Sequence, residues 1–357
     1  MFGTFTSLSL LSAAPAFAQS GKAPVTQGLT NPVTSNLPTQ SLINPDEKLA
    51  NIEAAIRAYK AGQFAQASSL AKTAYNAGSM DGAVLLGHID RKGELGTVNY
   101  SSARQWYEKA ARLSHLDALM ALANMGVNEQ GGLTKTDAAG YLSRAADRGR
   151  VEAMVALSDL YRTGDGVAQS DERSREYLTR AAESFDIEAN KKLGDSYFKT
   201  DPKKALGYYE AAANAGHIEA SYIAGVMYAE NFNIRPNSQR SAQLLHQAAR
   251  GGHAAAQADY GLLVYQGYGA KQSDEGAADW FRKSAEGGDS EGQFLYAFTL
   301  AKGEGIAQDY EEAYYWILQS TNNGVDDYDK DRQELRKRLE DNVDPDVLAR
   351  AKARIGQ

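Results

Sequence analysis

Cysteine is absent from this 357-residue chain. That removes disulfides, thiolate nucleophiles and thiolate metal ligands, along with a lipid anchor on an N-terminal cysteine, and leaves the redox compartment open. No stretch reaches the roughly 18 consecutive apolar residues of a membrane-spanning helix. There is no basic run, and the formal net charge is −7, so the electrostatic footprint of a nucleic-acid binder is missing. Histidine is scarce at 5 residues. His115, His217 and His253 share one repeat position and lie at least a repeat apart, whereas ligands to one zinc sit about 2 Å from it. They read as turn residues, and His88 and His246 have no partner at ligand spacing.

What the sequence does contain is a period. Small pairs recur at Ala110-Ala111, Ala145-Ala146, Ala181-Ala182, Ala212-Ala213, Ala248-Ala249 and Ser284-Ala285, with steps of 35, 36, 31, 36 and 36. A period of this size is the signature of a solenoid built from one supersecondary unit. In the unit from Val151 to Asp186, Ala153, Ala156, Leu157, Leu160 and Tyr161 form the stripe of an amphipathic helix. Gly164-Asp-Gly166 predicts a turn, and Tyr177, Leu178, Ala181 and Ala182 predict the buried face of a second helix. The other units carry large residues at the corresponding place: Trp106-Tyr107, Tyr141-Leu142, Tyr208-Tyr209, Leu244-Leu245, Trp280-Phe281 and Tyr315-Trp316, read as opening the second helix. The glycine turn recurs as Gly267-Tyr-Gly269 and Gly303-Glu-Gly305. The helix exit recurs as Ser114-His115, Gly149-Arg150, Gly216-His217, Gly252-His253 and Gly288-Asp289, where glycine suits a left-handed C′ position.

This pattern resembles the Sel1-like repeat, a relative of the tetratricopeptide repeat. Trp106-Tyr107-Glu108-Lys109-Ala110-Ala111, Leu193-Gly194-Asp195-Ser196-Tyr197 and the run from Trp280 to Asp289 carry the likeness, which covers about three quarters of the chain. The resemblance implies a right-handed, all-α solenoid of stacked helix-turn-helix repeats and a role as an adaptor. Three units depart from the pattern: Lys199-Thr-Asp-Pro202 replaces the glycine turn, Gly131-Gly132 lacks its spacing, and Asn231 to Pro236 occupy another turn.

The ends bound the domain organisation. Residues 1–18 form an apolar run ending in Ala16-Phe17-Ala18, a small-x-small cleavage pattern, so a signal peptide is expected there, although no Lys or Arg precedes Lys22. Residues 19–46 read as a disordered linker rich in Ser, Thr, Asn, Gln and Gly; Pro45 and the prolines before it make up five of the chain's 8. A tetratricopeptide-like unit is expected over 47–80, seven Sel1-like repeats over 81–324, and capping helices over 325–357, where Asp344 is the expected N-cap with Pro345 in the first helical position.

Catalytic signatures are missing. Gly303-Glu-Gly305-Ile-Ala-Gln308 lacks the third glycine of a dinucleotide fingerprint. Asp327-Tyr-Asp329-Lys-Asp331 imitates a calcium loop, but Arg332 and Arg338 stand where glycine and glutamate are needed, so it reads as a charged helix start. No catalytic residue, cofactor or metal site is expected. The 20 tyrosines sit mostly at core positions, while Tyr268, Tyr310 and Tyr314 are expected to be exposed and to serve as partner-binding residues. The reading is a non-catalytic adaptor of the bacterial envelope, placed in the periplasm with the cytoplasm as alternative, and holding a protein or peptide in the concave groove. A factor in exopolysaccharide export or cell-wall assembly and, less favoured, a hydrolase remain as alternatives.

Overall fold

Among the described residues, seven of the eight second helices begin where a side chain caps them, the helix after Gln63 being the exception. Asn99, Thr134, Ser170, Asp201, Asn237 and Ser273 each accept a hydrogen bond from a backbone N–H in the first turn, and Asp309 accepts one from Glu312. These caps satisfy donors that have no intrahelical partner. The computed structural model describes residues 45–321 apart from 231 and 233, and residues 329–355. The expected signal peptide and nearly all of the expected linker lie outside the described residues.

Among the described residues are eighteen α-helices, one single-turn 3₁₀ helix and no strand. They run in pairs: α1 (Pro45–Lys60) with α2 (Phe64–Asn76), α3 (Met80–Lys92) with α4 (Tyr100–Arg112), α5 (Leu116–Val127) with α6 (Lys135–Ala146), and α7 (Val151–Thr163) with α8 (Asp171–Glu183). Then follow α9 (Ile187–Tyr197) with α10 (Pro202–Asn214), α11 (Ile218–Ala229) with α12 (Ser238–Arg250), α13 (Ala254–Gln266) with α14 (Asp274–Glu286), and α15 (Ser290–Lys302) with α16 (Tyr310–Thr321). Two more helices, α17 (Asp329–Asn342) and α18 (Pro345–Ala353), both pack on α16. The protein is thus an all-α solenoid of stacked helix-turn-helix repeats. Its helices form two compact units, α1–α8 and α9–α18.

The large pair expected to open each second helix sits in the middle of it. Trp106-Tyr107 are the seventh and eighth residues of α4, and Trp280-Phe281 hold the same places in α14. In α16 those places belong to Trp316-Ile317, so the expected Tyr315-Trp316 register is one residue early. The eighth residue is always buried: Tyr107, Leu142, Leu178, Tyr209, Leu245, Phe281 and Ile317 are 0–3% exposed. In several pairs it faces a glycine of the first helix. A Cβ on Gly87 would come within 2.7 Å of the Tyr107 ring, and one on Gly261 within 2.6 Å of Phe281. Omitting the methyl group there brings the two helices close enough to bury the ring.

The second glycine of each expected turn has a further task. Gly166, Gly269 and Gly305 have φ of 75°, 71° and 70°. A Cβ on them would strike the backbone of Lys135, Ser238 and Asp274, each the first residue of the preceding repeat's second helix. These turns therefore set how closely one repeat stacks on the last. The exit glycines Gly149, Gly216, Gly252 and Gly288 also have positive φ, as expected. Where the glycine turn is absent, Asp201 caps α10 and Pro202 takes its first turn. Gly131-Gly132 belong to the 3₁₀ turn.

Candidate protein-binding cleft

Neighbouring first helices in the unit α9–α18 leave part of their apolar faces uncovered by the second-helix layer. Leu262 and Tyr265 of α13 and Phe298 of α15 are half-buried, and α17 lies beside them with Leu335, also half-buried. Together with the buried Phe281 and Phe294 they line a cleft of about 740 Å³. That volume falls within the range of about 300–1,000 Å³ typical of ligand sites.

The rim is polar and mostly acidic. Asp274, Glu304, Asp331 and Glu334 face Lys302 and Arg338. Lys302 Nζ lies 2.6 Å from Glu304 Oε1, and Arg338 pairs with Glu334, so both cations have an acidic neighbour. The Tyr265 hydroxyl donates to Glu304 Oε2 at 2.9 Å. Burial, reinforced by that bond to a carboxylate, pushes the Tyr265 hydroxyl up to about 12. Burial by itself would raise Glu304, but the bonds from Lys302 and Tyr265 outweigh it and hold the carboxyl below its ordinary value. Tyr265 therefore stays protonated and Glu304 stays ionised through the neutral range, so this pair contributes one negative charge to the rim.

The three tyrosines expected at the surface do not come together. Tyr268, in the turn after α13, is 62% exposed and stands at the lip of the cleft. Tyr310 is 41% exposed at the start of α16 and is not among the cleft's lining. Tyr314 is 0% exposed, which overturns the expectation of a surface residue. Its hydroxyl donates to Glu340 Oε1 of α17 at 2.6 Å, and Lys352 of α18 stands 5.5 Å from its ring centroid. The same place in the two preceding repeats holds a small residue, Ala242 and Ala278, and in others Arg104, Arg175 or Leu206. After the last repeat there is no first helix to follow, and the larger ring fills the space against α17 and α18.

The C-terminal segment is more than a charged cover. Arg332, read as part of a charged helix start, is 0% exposed. Its guanidinium donates to the hydroxyls of Ser320 and Ser290. Asp344 caps α18 as expected, accepting from Asp346 N at 2.8 Å. Leu339, Leu348 and Ala351 join the core that includes Phe281 and Phe294. Because α17 is anchored in this way, Asp331, Glu334, Leu335 and Arg338 become one wall of the cleft. Nothing in the sequence around residue 331 marks them as such, since only the docking of α17 places them opposite α13 and α15.

Beyond the cleft, the histidines have specific roles. His217 and His253 each accept a backbone N–H through Nδ1, at 3.2 Å, as N-caps of α11 and α13. His115 pairs with Asp81 across a repeat at 3.1 Å. Among the described residues no group of three or more His, Asp or Glu is placed to hold a metal ion. A buried carboxyl that sequence reading passed over is Asp259, 7% exposed on α13. Leu85, Ile223 and Leu295 hold its place in other repeats. Burial first, then Glu291, Asp289 and Glu230, pushes it well above the ordinary carboxylate range, against the hydrogen bond from Tyr222.

Comparison with known proteins agrees with this architecture. The Sel1 repeat family matches residues 81–115, 151–184, 192–217, 218–253, 254–289 and 290–325, more than half of the chain. Among solved structures, a Sel1 repeat protein from Oxalobacter formigenes is similar with a TM-score of 0.63 and 22% identity, covering 82% of this chain and 87% of that one. A protective antigen of uropathogenic Escherichia coli displaying an SLR fold is similar with a TM-score of 0.38 and 20% identity, over 86% of this chain and 83% of that one. No match was found among curated proteins. The helix pairs, the glycine turns stacked on the preceding repeat and the six matched repeats together show that the chain belongs to the Sel1 repeat family.

Proposed function

We propose that the chain is a non-catalytic scaffold of the bacterial cell envelope that holds a partner protein through its first helices, with the cleft between α13, α15 and α17 as the principal contact. Sel1 repeat proteins are in general protein-interaction scaffolds, and protein partners follow from that membership. The observation that carries the reading for this chain is the cleft itself. An aromatic and aliphatic floor under a polar rim, on rigid stacked repeats, has the anatomy of a protein-recognition hot spot. Tyr268 at its lip supplies an exposed aromatic; Tyr310, also exposed, lies outside the cleft's lining. The envelope placement rests on the cleavage pattern at residues 16–18; no helix among the described residues is long and apolar enough to cross a membrane.

The test is in-cell cross-linking of a tagged full-length chain, with fractionation and mass spectrometry of what is captured. Recovery of one dominant envelope protein from the periplasmic fraction supports the reading. Capture of cytoplasmic proteins alone defeats the envelope placement, and capture of nothing above background defeats the scaffold. A second reading, a factor in polysaccharide export or cell-wall assembly, draws on the aromatic lining, because Tyr265, Tyr268 and Phe298 could stack on sugar rings. Loss of extracellular polymer on deletion favours it, and an unchanged polymer counts against it.

A further inference from the structure

The negative charge of this protein is concentrated where the cleft lies. Residues 254–321 contain 11 acidic and 4 basic side chains, an excess equal to the whole chain's −7. The rest of the chain is neutral on balance. Two of these acids, Asp274 and Glu304, sit on the rim beside Asp331 and Glu334 of α17, and the rim's two cations each have an acidic neighbour. The floor contributed by Leu262, Tyr265, Phe298 and Leu335 is apolar and only half-buried.

From this juxtaposition, and resting on the scaffold reading above, we infer that the cleft takes a cationic amphipathic segment of a partner protein. Its apolar side chains sit on the Leu262–Tyr265–Phe298–Leu335 floor and its lysines or arginines meet the acidic rim. Charge complementarity selects this occupant over others. Nucleic acid, anionic polysaccharide and an acidic lipid surface would each bring phosphate or carboxylate against the acids. An acidic peptide would do the same. A neutral apolar segment would cover the floor but partly desolvate the acidic rim without bringing it any positive charge, which costs free energy. The cleft's about 740 Å³ accommodates the anchoring side chains, while the rest of the segment lies along the helices, as in helix-in-groove recognition.

The test uses the full-length protein and three fluorescein-labelled synthetic peptides. One is an amphipathic pattern of lysines and leucines, the second replaces every lysine by glutamate, and the third replaces every leucine by serine. Fluorescence anisotropy is expected to show saturable binding of the lysine–leucine peptide alone, weakened by added salt. The double variant D331K/E334K, on exposed positions of α17, is expected to lose about tenfold or more in affinity with an unchanged melting curve. The control D171K/E172K, on exposed positions of α8, is expected to bind as the native protein does. Equal binding of the lysine and glutamate peptides overturns the inference. So does native-like binding by D331K/E334K, or an equal loss in the control. In cells, a partner still captured by D331K/E334K would leave the scaffold reading intact and remove the cleft from it.

Discussion

Gly305 and Gly288 both have positive φ, at 70° and 84°, but a methyl group on each would meet different surroundings. Gly288 has open space around it, whereas Gly305 lies against the backbone of Asp274. Gly288→Ala carries only the conformational term and is expected to cost about 1 kcal/mol. Gly305→Ala adds a backbone collision and is expected to cost at least about 3 kcal/mol. Urea denaturation of the two variants checks the order; equal midpoints would mean that the turn does not control stacking. Asp259 makes a second prediction at this scale. Its folded carboxyl is raised above its unfolded value; Glu230, Asp289, Glu291 and Tyr222 act on it, and the His253 ring stacks on Tyr222. Stability associated with the protonated form is full below the unfolded pKa and is lost as pH rises through the raised folded one. Asp259→Asn is therefore expected to melt above the native protein at about pH 7, with the gap closing toward about pH 4. A constant gap across that range would show that the carboxyl does not titrate in this window. The sequence at Asp259 shows only an acid at a place that is apolar in most other repeats and Lys192 in one; its burial depends on α11 and α15.

At the scale of the element, the second helices were legible because their signals are local. The cap residue, the large pair and the small pair recur at fixed offsets, and Asp344-Pro345 announces α18 in the same way. The register of α16 was harder, because Tyr315 beside Trp316 offers two adjacent large pairs and only burial of Ile317 selects between them. Tyr314 was misplaced for a related reason: its exposure depends on where α17 and α18 lie, and no local pattern encodes that. Its bond to Glu340 is charge-assisted, and that carboxyl is held below its ordinary value by Tyr314 first and then by Arg336. Tyr314→Phe is expected to loosen α17 by about 1.5–3 kcal/mol. Hydrogen exchange should show faster exchange in α17 while α15 is little changed. Native protection in α17 would mean that Arg332 and the apolar contacts hold the helix by themselves.

For the molecule as a whole, stability should be local. In stacked repeats each unit contacts only its neighbours, so a defect propagates a short way along the stack. Gly305→Ala is thus expected to raise exchange rates across α13–α18 and to leave α3 and α4 at native protection. Uniform loss of protection would show one cooperative unit. The repeat period, the helix pairs, the glycine turns and the absence of thiol chemistry are properties of the sequence by itself, because each depends on spacing within one or two repeats. The binding cleft is not. It needs α17, about thirty residues beyond α15, to fold back beside α13 and α15, fixed by Arg332, Tyr314 and Leu339. Only tertiary packing could decide that, since the interactions holding α17 join residues that share no periodic relation in the chain.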